Sequence, residues 1–358
     1  MPFDLSFPKT LDPNLRTRPV AIWLFVLCAM ILVMVTLGGA TRLTGSGLSI
    51  MEWAPIMGSL PPVSETEWQR LFGLYQRTSQ YALINSGFGL GGFKQIFWLE
   101  WTHRLWGRLM GLAFALPLLW FVVKRQMPAG LWKRLVCLLV LGGAQGAIGW
   151  FMVASGFEGD RTAVSPYRLV MHLALALILY ASLLWTALGV WRPTQATTSG
   201  ARLTRMSQAL IAAVALTILA GGFVAGLKAG LTYNSFPLMD GQLIPAGYGA
   251  LHPFFLNLTE NVAAVQFDHR LLATLTAVLA LATVVIGITS RPTAQIRRAL
   301  LGVGAALICQ YALGVATLLY VVPIGLATLH QATAVLLLTA AIVLRHTLIH
   351  TRTRQVSP

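Results

Sequence analysis

Charge is what this sequence has least of. Only 10% of its 358 residues are Asp, Glu, Lys or Arg, against about 25% in soluble domains. Hydrophobic residues reach 56%, and the mean hydropathy is +0.70. So little polar surface would not cover a soluble core of this size, and the same figures exclude a disordered chain. Cysteine is scarce as well. Cys28, Cys137 and Cys309 each sit inside an apolar run, and no C-x-x-C occurs. A disulfide framework and a cysteine zinc site are therefore not expected; all three read as buried free thiols packing as small hydrophobes. Acidic residues number 11 against 26 Lys and Arg, a net charge of +15. That excess is not a nucleic-acid footprint, because the basic residues fall in short segments between apolar runs, not in a stripe interleaved with aromatics.

What is abundant is the long apolar run. Eight runs reach the roughly 20 residues needed to cross a bilayer: about Val20–Ala40, Trp98–Val123, Leu135–Ala154, Leu169–Trp191, Met206–Gly226, Phe267–Ser290, Ala299–Tyr320 and Ile324–Arg345. The first is too long for a signal-peptide core, and Gly38-Gly39-Ala40-Thr41-Arg42 follows it instead of a cleavage site. The fold class is an all-α polytopic membrane protein. Of the 26 Lys and Arg, 16 lie in the N-terminal tail, Lys124–Arg134, Arg192–Arg205, Arg291–Arg298 and the tail from Arg345, with only Asp4 and Asp12 of the 11 acids. The positive-inside rule puts these segments, and both termini, in the cytoplasm. The outer loops at 41–97 and 227–266 are long, and loops of that length in a compact bundle usually carry function.

The two halves repeat. Gly38-Gly39 is echoed by Gly221-Gly222, and Gly47-Leu48-Ser49 by Gly230-Leu231-Thr232. Trp53-Ala54-Pro55 with Gly58 and Pro61 is matched by Phe236-Pro237 with Gly241 and Pro245. Glu100-Trp101-Thr102-His103-Arg104 is matched by Gln266-Phe267-Asp268-His269-Arg270, Gln145 and Gly149 by Gln310 and Gly314, and His172 by His330. Repeats of four spans run parallel about an axis along the membrane normal. The expected organisation is a tail (1–19), an N-terminal four-helix bundle (20–191), a cytoplasmic linker (192–205), a C-terminal bundle (206–345) and a tail (346–358).

Seven histidines are present. His346 and His350 fall among tail arginines and read as solvated or headgroup-facing, and His252 as a loop residue. His103, His172, His269 and His330 lie near the outer end of even-numbered spans, within one or two turns. Ionisable residues inside spans mark function by default. Two imidazoles per bundle, on different helices, suit axial ligation of a haem iron. Zinc would want a third Cys or carboxylate ligand, and neither bundle offers one at the usual spacing. Arg104 and Arg270 directly follow two of these histidines and suit haem propionates. Arg42, Lys94, Arg168 and Lys228 lie near the same boundary, where propionate pairing and interfacial snorkelling are both open. Glu100 lies three residues before His103 on one helical face, whereas its counterpart is the neutral Gln266. A carboxylate can accept or relay protons, so the first bundle reads as the place of chemistry and the second as a fixed electron-transfer site. The alternative use of Glu100 is to hold an interfacial Arg or Trp. The glycines at 87, 89, 91 and 92 follow no strand and are not a nucleotide loop.

From about Val20 to Arg345 the chain resembles the haem A synthase family, in its proteobacterial and mitochondrial branch. The carriers are the string Gly38-Gly39-Ala40-Thr41-Arg42-Leu43-Thr44-Gly45-Ser46-Gly47-Leu48-Ser49, then Glu100-Trp101-Thr102-His103-Arg104, Gly143-Ala144-Gln145-Gly146 with Gly149-Trp150, and Leu329-His330-Gln331. The resemblance implies conversion of haem O to haem A, by two hydroxylations of the C8 methyl group and loss of water from a geminal diol. It implies haem O on His103 and His172 with Glu100 catalytic, and haem b on His269 and His330. It further implies a haem O synthase upstream, haem-copper oxidase assembly downstream, an electron acceptor, and a multi-pass inner-membrane location with the haem sites near the periplasmic face. A homo-oligomer is compatible with this. Some family members carry a cysteine pair in the first outer loop; none is present here. The farnesyl-derived tail of haem O would suit a lipid-facing groove, and the first outer loop, with Trp53, Pro55, Pro61, Pro62 and Trp68, would cover the porphyrin. The rival readings are a bis-histidine dihaem cytochrome b linked to quinol, and a haem transporter. The nearly charge-free span centres count against transport.

Overall fold

The computed structural model describes residues 13–54, 57–128, 130–191 and 200–350. In chain order its helices are α1 (Pro13–Leu43), α2 (Glu65–Tyr75), α3 (Leu90–Val123), α4 (Leu131–Ala154), α5 (Pro166–Trp191), α6 (Ala201–Gly226), α7 (Asn257–Glu260), α8 (Val262–Thr289), α9 (Ala294–Leu319) and α10 (Ile324–His350). All but α2 and α7 are long and apolar enough to cross a membrane, eight in all. Helix is the form expected of such runs, because in hydrocarbon every backbone N–H and C=O must find its partner inside the segment. Among the described residues there is no strand, only an isolated bridge between Met239 and Gln242. The chain is an all-α, multi-pass membrane protein.

Neighbour relations define two rings. Helix α1 packs on α3 and α5, and α4 completes the ring by touching both; α6, α8, α9 and α10 repeat this arrangement. The rings meet where α1 and α5 face α6 and α10. Thus α3 and α5 occupy opposite corners of one ring, and α8 and α10 opposite corners of the other. The shared apolar core runs through this seam, with Leu24, Leu183, Leu210, Leu338 and Leu344 almost wholly buried. Polar contacts cross it as well: Arg42 Nη1 donates to the Ala225 carbonyl (2.8 Å), Gln331 Nε2 donates to the Val35 carbonyl (2.9 Å), and the Tyr180 and Thr339 hydroxyls bond one another (2.7 Å).

Several boundaries differ from the hydropathy reading. Helix α3 begins at Leu90 instead of Trp98, because its outer extension is packed. Trp68, Phe72 and Tyr75 of α2 bury against Phe93, Ile96 and Phe97, and α2 is itself capped by the Ser64 hydroxyl accepting from Glu67 N. The glycine-rich stretch is the start of this helix, with Gly89 at its N-cap. Helix α8 begins at Val262 instead of Phe267, since the Asn261 side chain caps Ala263 N and Ala264 N. Ala201–Arg205, expected in the linker, already belong to α6. Helix α10 continues to His350, so His346 is not a solvated tail residue: it is 4% exposed and stands edge-on to Trp185. Residues 1–12, Pro55, 192–199 and 351–358, on which parts of the tail, loop and linker expectations fall, lie outside the described residues. Of the thiols only Cys28 is buried; Cys137 and Cys309 are exposed on α4 and α9, where the surrounding solvent would be lipid.

Candidate functional site

The four span histidines come from the opposite corners of their rings: His103 on α3 and His172 on α5, His269 on α8 and His330 on α10. His172, His269 and His330 are the seventh, eighth and seventh residues of their helices. His103 is the fourteenth of α3, which reflects the outward extension of that helix. All four line one cavity of about 1,590 Å³, larger than the ~300–1,000 Å³ usual for one small-molecule pocket.

Each imidazole lies against a glycine of a neighbouring helix. A Cβ at Gly38 would stand 3.2 Å from His103 Nε2, and one at Gly221 3.0 Å from His269 Cε1. A Cβ at Gly149 would stand 2.9 Å from His172 Cε1, and one at Gly314 2.8 Å from His330 Cε1. The glycines on α1 and α6 serve the first histidine of each pair, and those on α4 and α9 the second. The repeated glycines therefore exist to seat the rings. The Nδ1 atoms of His172, His269 and His330 are buried without a hydrogen-bond partner among the described residues, a costly state for a polar atom in an apolar wall. Paired imidazoles from diagonal helices, cradled by glycine and left with unused nitrogens, fit a haem iron as the group between them. Gly314→Ala should displace His330 and lower haem content at that site alone, and Gly149→Ala should do the same at the His172 site. Haem extracted from each purified variant checks this, and equal loss from both sites would contradict it.

Glu100 is 2% exposed and lines the cavity. Its Oε1 accepts from Arg104 Nε (3.0 Å) and Nη2 (2.5 Å). Its Oε2 accepts from Ser49 N (2.8 Å), the Ser49 hydroxyl (2.7 Å) and Ile50 N (2.9 Å). Gln266 occupies the equivalent place with the opposite polarity: its Nε2 donates to the Ala229 (2.8 Å) and Thr232 (2.6 Å) carbonyls, and its Oε1 accepts from Arg270 Nη2 (3.1 Å). The first loop presents donors and requires a carboxylate; the second presents carbonyls and requires an amide. The Glu/Gln difference thus has a structural cause that one-dimensional comparison does not reveal.

The arginines divide. Arg104 also donates to the Ile50 (2.6 Å) and Glu52 (3.0 Å) carbonyls, and Arg270 to the Tyr233 (2.5 Å) and Ser235 (2.8 Å) carbonyls. Both line the cavity, and both tie an outer loop to a histidine-bearing helix. Arg270 Nε remains buried and unpartnered among the described residues. Arg42 and Lys228 line the cavity as well. Arg168 does not join them: it pairs with Glu158 (2.9 Å) and covers the Phe151 ring. Lys94 pairs with Glu65 (3.6 Å) and lies over Trp68. Arg108, which sequence reasoning passed over, lines the cavity and donates to the Ala54 carbonyl (2.9 Å). Its signal was its place five residues after His103. Of the loop aromatics, Trp53 overhangs the cavity and packs on Trp150, whereas Trp68 is spent on holding α2 to α3. Outside the membrane, Arg70 holds the Glu52 and Glu67 carboxyls below the usual carboxylate range through its hydrogen bonds, a pairing lost only as pH falls through those lowered values.

The glycine-seated pairs also carry a second difference. Gln145 Nε2 donates to the His172 carbonyl (2.9 Å) and lies 3.3 Å from its ring Nε2, leaving Gln145 Oε1 without a partner among the described residues. In the other half Gln310 Oε1 accepts from the Thr333 hydroxyl.

Comparison with known proteins agrees with this geometry. A protein of Granulibacter bethesdensis named "Heme A synthase" is 62% identical over 345 residues, covering 96% of this chain and 91% of the relative. Proteins of the same name from Nitrosospira multiformis and Caulobacter sp. (strain K31) are 46% and 45% identical, over 96% and 91% of this chain and 97% and 95% of their own lengths. A family model described as cytochrome oxidase assembly protein, COX15-CtaA, matches residues 21–342, and the chain belongs to that family.

Proposed function

We propose that the chain is a haem A synthase, an oxidoreductase that converts the C8 methyl group of haem O to the formyl group of haem A for haem-copper oxidases. The observation that carries this reading is the repeated but unequal site: two glycine-seated histidine pairs in one large cavity, with a buried carboxylate beside only one of them. The N-terminal bundle, 20–191, takes haem O on His103 and His172. The C-terminal bundle, 206–345, holds haem b on His269 and His330, and haem b when bound supplies one-electron redox capacity to the reaction.

This chain's own residues bind, orient and shield. His103 and His172 fix the substrate between α3 and α5, and Gly38 and Gly149 permit that close approach. Glu100 keeps Ser49 and Ile50 over the site through Oε2 and holds Arg104 through Oε1, and its carboxylate is the group beside the first pair that would accept or relay a proton. Trp53, Met51 and Ile84 of the first outer loop line the cavity and would shield a bound substrate from water. Arg42 and Arg270, on the cavity wall, are the candidates to face propionates, with Arg104 bracing the loop beside them. Arg168, paired with Glu158 off that wall, is withdrawn as a candidate. The basic segments favour both termini on the cytoplasmic side of a bacterial inner membrane, with the haem sites toward the outer face. Haem O would come from a membrane haem O synthase, and electrons would leave to a separate acceptor. Expression with a haem O synthase in cells lacking haem A should yield formyl-bearing haem in the membranes; unconverted haem O beside correctly inserted protein would overturn the assignment.

A further inference from the structure

The two rings differ at one seam, and the difference bears on what each site admits. In the second half the seam between α8 and α9 is closed by Tyr311. Its hydroxyl bonds the Thr274 hydroxyl across the seam (3.3 Å), and its ring meets Phe236 of the outer loop edge-on, 6.4 Å between centroids. Leu307, one turn below on the same face, fills the wall beneath it. All four residues line the cavity.

In register with Gln145 and Gln310, the counterparts of Tyr311 and Leu307 are Gly146 and Gly142. They line the cavity too, with Gly143 beside them and Gly111 opposite on α3. No described atom lies within 4 Å of where a Cβ at Gly111, Gly143 or Gly146 would stand, and at Gly142 the nearest, Leu179 Cδ2, is 4.0 Å away. Helices α3 and α4 also touch one another less than α8 and α9 do.

We propose that the seam between α3 and α4 is a lateral window through which the prenyl tail of the substrate haem passes from the first site into lipid, and that Tyr311 is the residue that denies such a tail to the second site. The inference rests on the functional reading above. It adds which residues tell a tailed haem from a tail-less one. An apolar tail in the window stays in a hydrocarbon medium and needs no polar partner. The same tail at the second site would have to displace the Tyr311 ring from Thr274 and Phe236, an overpacking penalty.

The test uses full-length protein purified from cells that make both haem b and haem O, with haem extracted, separated and counted per chain. Gly146→Tyr should lower haem O content by about tenfold or more while haem b stays at the wild-type level. Gly146→Ala, small enough to leave the window open, should retain haem O. Tyr311→Ala should open the second site, so that haem O rises and haem b falls. Should Gly146→Tyr not accumulate, the Tyr311→Ala ratio alone decides. Wild-type haem O content in Gly146→Tyr, or an unchanged haem ratio in Tyr311→Ala, would overturn the window while leaving the synthase reading intact. A wild-type protein that takes up no haem O would overturn both.

Discussion

Replacing His330 by alanine is expected to strip haem b from the protein and leave the first site able to hold haem O. The two pairs sit in separate rings, each seated by its own glycines, so loss of a ligand in one ring leaves both ligands of the other in place. His269→Ala should behave in the same way. His103→Ala and His172→Ala should do the reverse, with haem b kept and haem O lost. The absorption of the affected site should disappear with its haem, and that of the other site should remain. Folding should survive, since each of these imidazoles lies against a glycine, and Gln145 keeps the His172 carbonyl when the His172 ring is removed. Loss of both haems from any single variant would contradict the assignment of one pair to each haem.

The second large effect is expected at Glu100. Truncation to alanine removes the acceptor for Ser49 N, the Ser49 hydroxyl and Ile50 N, and takes the carboxylate partner from Arg104, 19% exposed in its side chain, leaving it the Ile50 and Glu52 carbonyls. Removing one partner of such a buried pair costs about 3–5 kcal/mol, concentrated here on the first outer loop. Haem b should be untouched and haem A formation lost. Glu100→Gln should not rescue it, although glutamine is native at 266. The loop over residue 100 offers N–H and O–H donors to Oε2, whereas Gln266 faces carbonyls. Haem content separates two roles for Glu100. Haem O bound but unconverted places the carboxylate in the chemistry; haem O lost places it in holding the loop. Normal haem A from Glu100→Ala would refute both.

Much of this was legible in the sequence, and the parts that were not share a cause. The eight spans follow from hydropathy, because hydrocarbon leaves an apolar run few alternatives to helix. The histidine pairs follow from the cost of burying ionisable groups. The repeat showed Gly38, Gly149, Gly221 and Gly314 but not their purpose, which appears only when a neighbouring helix brings an imidazole to within 3.2 Å of the missing Cβ. The outward extension of α3 was hidden because Lys94, Gln95 and three nearby glycines interrupt the apolar run, and only the cluster of Trp68, Phe72 and Tyr75 explains why it stays helical. Arg104 and Arg270 also hold loop carbonyls, a use that no sequence rule foretells beside the propionate reading. Arg168 finds Glu158, and His346 finds Trp185. In these contacts tertiary structure adds partners that the residue type alone left open.

The most direct test of the central claim, two haem sites of unequal kind in one chain, is the haem stoichiometry of purified protein from cells supplied with haem O. The account predicts one haem b per chain together with one equivalent of haem O or its oxidised products, the latter absent when haem O synthesis is switched off. Two equivalents of haem b and no haem O, with haem O abundant in the membrane, would contradict it and make the chain a dihaem electron carrier.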